Sequence, residues 1–177
     1  LGILISGKMN RTDVRTPFMF EVSGWRNLIL PVILLAFLVY PLIYLTFGYY
    51  IAWQSESLRV YYTQSVELKP FFIQLASAFS DGIYFFQMLR GMIWVAFSIP
   101  VILMLQHTNA YQYLLIGFLS ALLPSVQLFI PNPYMPADIA MTHFIETSVS
   151  NFVWGLAITF TVNKYIRAGA LQNIISV

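Results

Sequence analysis

Side chains able to do chemistry are scarce in this sequence, and most of them fall in two stretches. Asp81 and Arg90 bracket the start of one apolar run, Ile83 to Leu105, while His143, Glu146 and Asn151 occupy the first turns of another, Met141 to Asn163. On a helix, His143, Glu146, Thr147 and Ser150 share an arc of roughly 100°, with Asn151 one step beyond it. Gln87, Arg90, Gly91, Trp94 and Ser98 fall on one broad face of the earlier run. A guanidinium, two carboxylates and an imidazole at one depth admit three uses: an Arg90–Glu146 network that fixes helix packing, a path for a ligand, ion or proton, or acid-base catalysis. The packing role comes first, because a buried ion pair specifies geometry even where desolvation cancels much of its attraction. Separate interfacial positions, with Arg90 snorkelling to headgroups, are the remaining alternative. The candidate polar cluster is Asp81, Arg90, His143 and Glu146, with Asn151 beside it.

Stronger chemical signatures are missing. With no cysteine there is no disulfide framework, thiol nucleophile or thiolate-held iron-sulfur cluster, and only His107 and His143 supply imidazole. The sequence has no HExxH, GxSxG, GxxxxGK[ST] or GxGxxG motif. His143 and Glu146 have the HxxE spacing of half a carboxylate-metal helix, but the partner carboxylates and histidine of such a bundle site are absent. Ser148 and Ser150 lie near His143 in sequence without implying a Ser-His-acid geometry. No cofactor or resident metal is expected, and no catalytic residue is assigned.

Composition sets the class. Of 177 residues, 59% are hydrophobic and 9% charged, where soluble domains carry about a quarter charged. The mean hydropathy is +0.73. A water-soluble globule so composed would expose large apolar patches, so the chain is expected to be an integral membrane protein. Its formal charge of +2 is too small and scattered for a nucleic-acid footprint.

The expected fold is an all-α polytopic bundle with four crossings and a short interfacial helix, a single transmembrane domain over 1–177. Leu1 to Ile5 reads as the tail of an earlier helix and is too short for the apolar core of a signal peptide, leaving the N-terminus open to being incomplete. Val14 to Val22 has weak strand character, interrupted by Pro17. Leu28 to Trp53 is the first crossing, with Pro31 in its first turn and Pro41 in its middle, where it should bend the helix or open a backbone gap. Tyr40, Tyr44, Tyr49, Tyr50 and Trp53 gather toward its far end as an aromatic belt or, secondarily, a channel lining. Ser57 to Glu67 fits either a surface helix or an extended segment. Phe71, Phe72, Leu75, Ala76 and Phe79, opposite Gln74, Ser77 and Ser80, mark a short interfacial helix ending at Asp81-Gly82. Ile83 to Leu105 and Tyr111 to Phe129 are the second and third crossings, a proline-rich loop spans 130–138, and the fourth runs from Met141 to about Asn163.

If the crossings alternate, Lys8, Arg11, Arg15, Arg26, Lys164 and Arg167 share one side, with only Arg59 and Lys69 opposite. The positive-inside rule then places both ends in the cytoplasm of a cell-membrane protein. The expected partners are the lipid bilayer and a protein subunit or second copy within the membrane, with no nucleic acid. Few polar groups and many aromatic and small-residue surfaces favour a structural or interaction subunit of a membrane complex, ahead of a small transporter or permease-like protein using the outer-half polar site.

Overall fold

The structure, a computed structural model, describes the backbone of residues 22–105 and 109–175, and side chains within 27–105 and 109–165. Its described elements are all helical: α1 (Val22–Leu34), α2 (Tyr40–Tyr50), α3 (Glu56–Thr63), α4 (Phe71–Ser80), α5 (Ile83–Met104), α6 (Ala110–Ser125) and α7 (Ala137–Ile175), with short π and 3-10 turns between. Three stretches are long and apolar enough to cross a membrane: Asn27–Gln54, Ile83–Met104 and Ala110–Phe129. The weak strand reading falls outside the described residues, apart from Val22, which opens α1. His107, Lys8, Arg11 and Arg15 also lie outside them.

The two prolines of the first helix act differently from each other. Because α1 starts at Val22, Pro31 lies inside the helix rather than in its first turn. Pro41 has no N–H for the Phe37 carbonyl, and its ring crowds that carbonyl. The chain responds with a π-helical turn, Leu35–Val39, in which the Tyr40 N–H bonds the Leu35 carbonyl. This is the backbone gap expected around Pro41, and α5 fills it. Tyr84 Oη donates to the Phe37 carbonyl at 3.0 Å. Gly91 passes so close that a Cβ there would lie 2.5 Å from the Ala36 carbonyl oxygen.

The connection after α2 is compact. Ser55 caps α3 by accepting from the Leu58 N–H at 3.4 Å, and α3 ends at Gln64 in the left-handed region, φ 56°. Arg59 gathers the turn, donating to the carbonyls of Trp53, Gln54 and Val66 at 2.7, 2.9 and 2.8 Å. Gly82 adopts φ 76° between α4 and α5, a conformation that glycine reaches without a Cβ penalty.

α7 is the central helix, and it is longer than the sequence pattern suggests. It starts at Ala137 and runs 39 residues without interruption. Against the first helix it is antiparallel: Leu28 and Val162 share one buried cluster, Tyr40 meets Trp154 edge-on at 5.1 Å, and Ala52 packs with Ile139. Against α6 it is antiparallel as well, from Gln112 with Asn163 to Phe129 with Phe144. The two helices touch at glycines: a Cβ on Gly155 would lie 2.7 Å from Gly117 Cα and 2.8 Å from the Ile116 carbonyl oxygen. Large apolar side chains such as Leu30, Phe85, Phe97 and Leu123 point outward.

Candidate functional site

Because neighbours surround α7, its polar residues turn inward, as the arc of hydrogen-bonding residues in its first turns implies. Glu146, Ser150, Asn151 and Thr159 are all buried, Glu146 to 3% exposure. Ser and Thr hydroxyls satisfy much of this face locally: Thr159 Oγ1 donates to the Gly155 carbonyl at 2.7 Å, and Ser150 Oγ to that of Thr147 at 3.2 Å. A polar helix can therefore sit among apolar ones without presenting its donors to an apolar surrounding.

At the end where α2 finishes and α7 begins lies a cavity of about 520 Å³. Tyr44, Gly48 and Tyr49 of α2 form one wall, continued by Trp53. His143 and Glu146 of α7 form another. α4 covers it with Phe71, Gln74 and Ala78, and Ser65, Glu67, Lys69 and Asp81 complete the rim. Tyr49 meets the Phe71 ring edge-on at 5.2 Å, which ties α4 to α2. α4 is the short helix anticipated from the phenylalanine spacing, but its inward side is mixed, with Phe71 and Leu75 of the expected apolar face on the cavity wall. Gln74 and Ser77 line the cavity, while Phe72, Ile73 and Phe79 are exposed on the outside.

The structure thus brings Asp81, His143 and Glu146 to one cavity and leaves Arg90 and Asn151 off its wall. Glu146 accepts from Thr147 Oγ1 at 3.2 Å and Ser150 Oγ at 3.4 Å. Among the described residues its only basic neighbour within 4.0 Å is His143, whose Nδ1 stands 3.9 Å from Glu146 Oε2. His143 Nε2 is 3.0 Å from the Tyr62 hydroxyl, so the imidazole bridges α3 to the buried carboxylate. Burial, with the neighbouring Tyr61 phenol second, pushes the Tyr62 phenol above its ordinary pKa.

The expected direct Arg90–Glu146 ion pair does not form. Arg90 Nη1 instead donates to Gln87 Oε1, one turn earlier on α5, at 3.3 Å. The guanidinium lies 5.7 Å from the centre of the Tyr44 ring, in the range of a cation-π contact. Gln87 and Tyr44 thus take up the cation before it reaches α7. Asn151 Nδ2 donates to the Thr147 carbonyl at 2.8 Å, but its buried Oδ1 has no hydrogen-bond partner, as is also true of Tyr40 Oη and Trp154 Nε1.

Sequence reasoning did not assign Glu67, Lys69 or Phe71 to the site, because they follow the first crossing by a loop whose return over the bundle no periodicity records. The accumulation of tyrosines before Trp53 was the available signal, and Tyr44, Tyr49 and Trp53 do line the cavity. At the opposite end, buried Gln112 donates to the carbonyls of Ile102 and Leu105 at 2.9 and 3.0 Å and accepts from Asn163 Nδ2 at 3.0 Å. This network joins α5, α6 and α7 and leaves no free polar atom for a ligand on Gln112. Among the described residues, no three His, Asp or Glu side chains are placed to hold one metal ion. No family model matches the chain, and neither curated proteins nor solved structures yield a match.

Proposed function

We propose that this chain is a multi-pass membrane protein of the permease-like class that takes up a small polar solute in the cavity between α2, α4 and α7. The observation that carries the reading is Glu146. Its side chain is nearly inaccessible, the residue lines a cavity of ligand size, and no Lys or Arg lies within 4.0 Å of its carboxylate among the described residues. A group so costly to bury supports use by a ligand or proton more than a packing role, which a satisfied ion pair would serve better. The structural-subunit reading rests on aromatic and small-residue surfaces; Gly91, Gly117 and Gly155 are occupied by contacts inside this chain, while aromatic side chains such as Phe85 and Phe97 remain exposed.

In this reading α7 is the fourth crossing. At 1.5 Å per residue a 39-residue helix exceeds the roughly 30 Å hydrocarbon layer, and its polar side chains face neighbouring helices. Arg26, Lys164 and Arg167 put the Gln112 end in the cytoplasm, and the cavity opens toward the outer side. α4 lies at the outer interface with Phe72 and Phe79 toward lipid.

The test is thermal unfolding of the protein in nanodiscs with a panel of small cations, carboxylates and neutral solutes at constant ionic strength. A ligand at about a hundred times its Kd adds roughly 2.7 kcal/mol, so at least one class should raise Tm in a saturable way. Gly48→Trp puts a large side chain into the cavity while leaving Glu146 itself unchanged, and should abolish the response. A panel without effect, or a response unchanged in Gly48→Trp, overturns the reading.

A further inference from the structure

We infer that the solute is a small organic cation, an amine or quaternary ammonium compound; this rests on the solute-binding reading above and specifies its ligand. Three carboxylates, Glu67, Asp81 and Glu146, share the cavity with one ammonium, Lys69. An anion would meet that excess of negative charge, and a neutral solute would leave the buried Glu146 with its hydroxyl and imidazole contacts alone. A cation relieves the desolvated carboxylate at the point where Coulomb attraction is least screened. The carboxylates do not converge on one point, since no three acidic or imidazole groups could hold a metal ion among the described residues. Spread around about 520 Å³ with the rings of Tyr44, Tyr49, Trp53 and Phe71, they suit a larger, weakly hydrated cation whose charge is distributed over carbon. Such cations gain from aromatic faces as well as from carboxylates. His143 stands at the edge of this site, Nδ1 3.9 Å from the Glu146 carboxylate and Nε2 3.0 Å from the Tyr62 hydroxyl.

The discriminating pair of probes is choline and 3,3-dimethylbutan-1-ol, which share a shape and differ in charge. In phosphatidylglycerol nanodiscs, choline should raise Tm saturably and the neutral alcohol should not. Glu146→Gln should weaken choline at least about tenfold. Because that variant alters a buried group, a second one works at the rim: Glu67→Gln with Asp81→Asn should weaken choline by about two- to fivefold, as expected of screened charges. Lys69→Gln should strengthen it by about twofold. Repeating the titration in phosphatidylcholine separates two sources of the same chemistry: a lost response assigns the cation to a lipid headgroup, a retained one to a free solute. Equal protection by the neutral alcohol, or an inert choline beside another active solute in the panel, overturns the cation while leaving solute binding intact. A panel in which nothing acts is instead the failure of the solute-binding reading itself.

Discussion

Tyr84 donates its hydroxyl hydrogen to the Phe37 carbonyl at 3.0 Å, supplying from α5 the donor that Pro41 removes from its own helix. The bond has a purpose only because of the proline. Tyr84→Phe should therefore cost about 1 kcal/mol, and in a Pro41→Ala background, where residue 41 regains its N–H, the same change should cost close to nothing. A double-mutant cycle on detergent-induced unfolding measures the difference. Equal costs in both backgrounds would show that Tyr84 contributes by ring packing alone, for instance through its stack on Phe79 at 4.1 Å.

Glycines in this chain should respond in opposite directions. A methyl group on Gly155 meets the α6 backbone at 2.7 and 2.8 Å, and neither helix can yield without separating. Gly155→Ala should destabilise by about 2 kcal/mol or more through overpacking. Gly48 has nothing within 4 Å of the same position, so Gly48→Ala should be neutral or stabilise by about 0.5–1 kcal/mol through helix propensity. Thermal unfolding of the two variants side by side checks the ordering.

These cases show which features the sequence discloses. Charge-free runs and helical spacing located the long helices to within a few residues at most ends, and Pro41 and Asp81-Gly82 announced a break in the helix and a turn. The arc from His143 to Ser150 correctly implied an inward face on α7, because placing those groups against apolar surroundings is costly wherever the helix packs. The failure of Arg90 to reach Glu146 was not legible. Periodicity gives the face on which Arg90 lies but neither the tilt of α5 nor the reach of its side chain, and Tyr44 and Gln87 intercept it. Nor does amphipathic spacing say which side of α4 meets a cavity, since a polar stripe serves water outside and water inside equally well.

The Tyr62–His143 contact carries a pH signature. Burial holds the Tyr62 phenol above its ordinary value near 10, so the folded protein keeps a proton there that the unfolded chain has released. Stability from this group is complete below pH 10 and falls as pH rises through the unfolded and then the folded pKa. Tyr62→Phe should remove that part of the alkaline loss while also removing the 3.0 Å contact with His143 Nε2. Unfolding midpoints of both proteins between about pH 9 and 11 test it; parallel curves would mean that Tyr62 does not titrate in this range.

The topology makes a prediction independent of the ligand. If the cavity faces outside and the Lys164 end inside, as proposed, a cysteine at Ser65, on the exposed rim, should label in intact cells with an impermeant reagent. A cysteine at Ala170, in the last part of α7, should label only after permeabilisation. The reverse pattern would invert the orientation, and labelling at both would show that the number of crossings between them is even.

Arg90 offers a last test, because two arrangements predict different couplings for the same residues. If Arg90 and Glu146 were a direct buried pair, removing one charge would strand the other, at about 3–5 kcal/mol, and neutralising both would recover much of the loss. The observed contacts are instead with Gln87 Oε1 at 3.3 Å and with the Tyr44 ring at 5.7 Å. Arg90→Gln should then couple to Tyr44→Leu by about 0.5–1 kcal/mol, the value of a partly exposed cation-π contact, and to Glu146→Gln by less. Two double-mutant cycles sharing the Arg90 variant give both numbers under one set of conditions. A coupling to Glu146 larger than the coupling to Tyr44 would restore the ion pair and return Glu146 to a packing role. That result would also remove the carboxylate without a Lys or Arg partner on which the reading of the cavity depends.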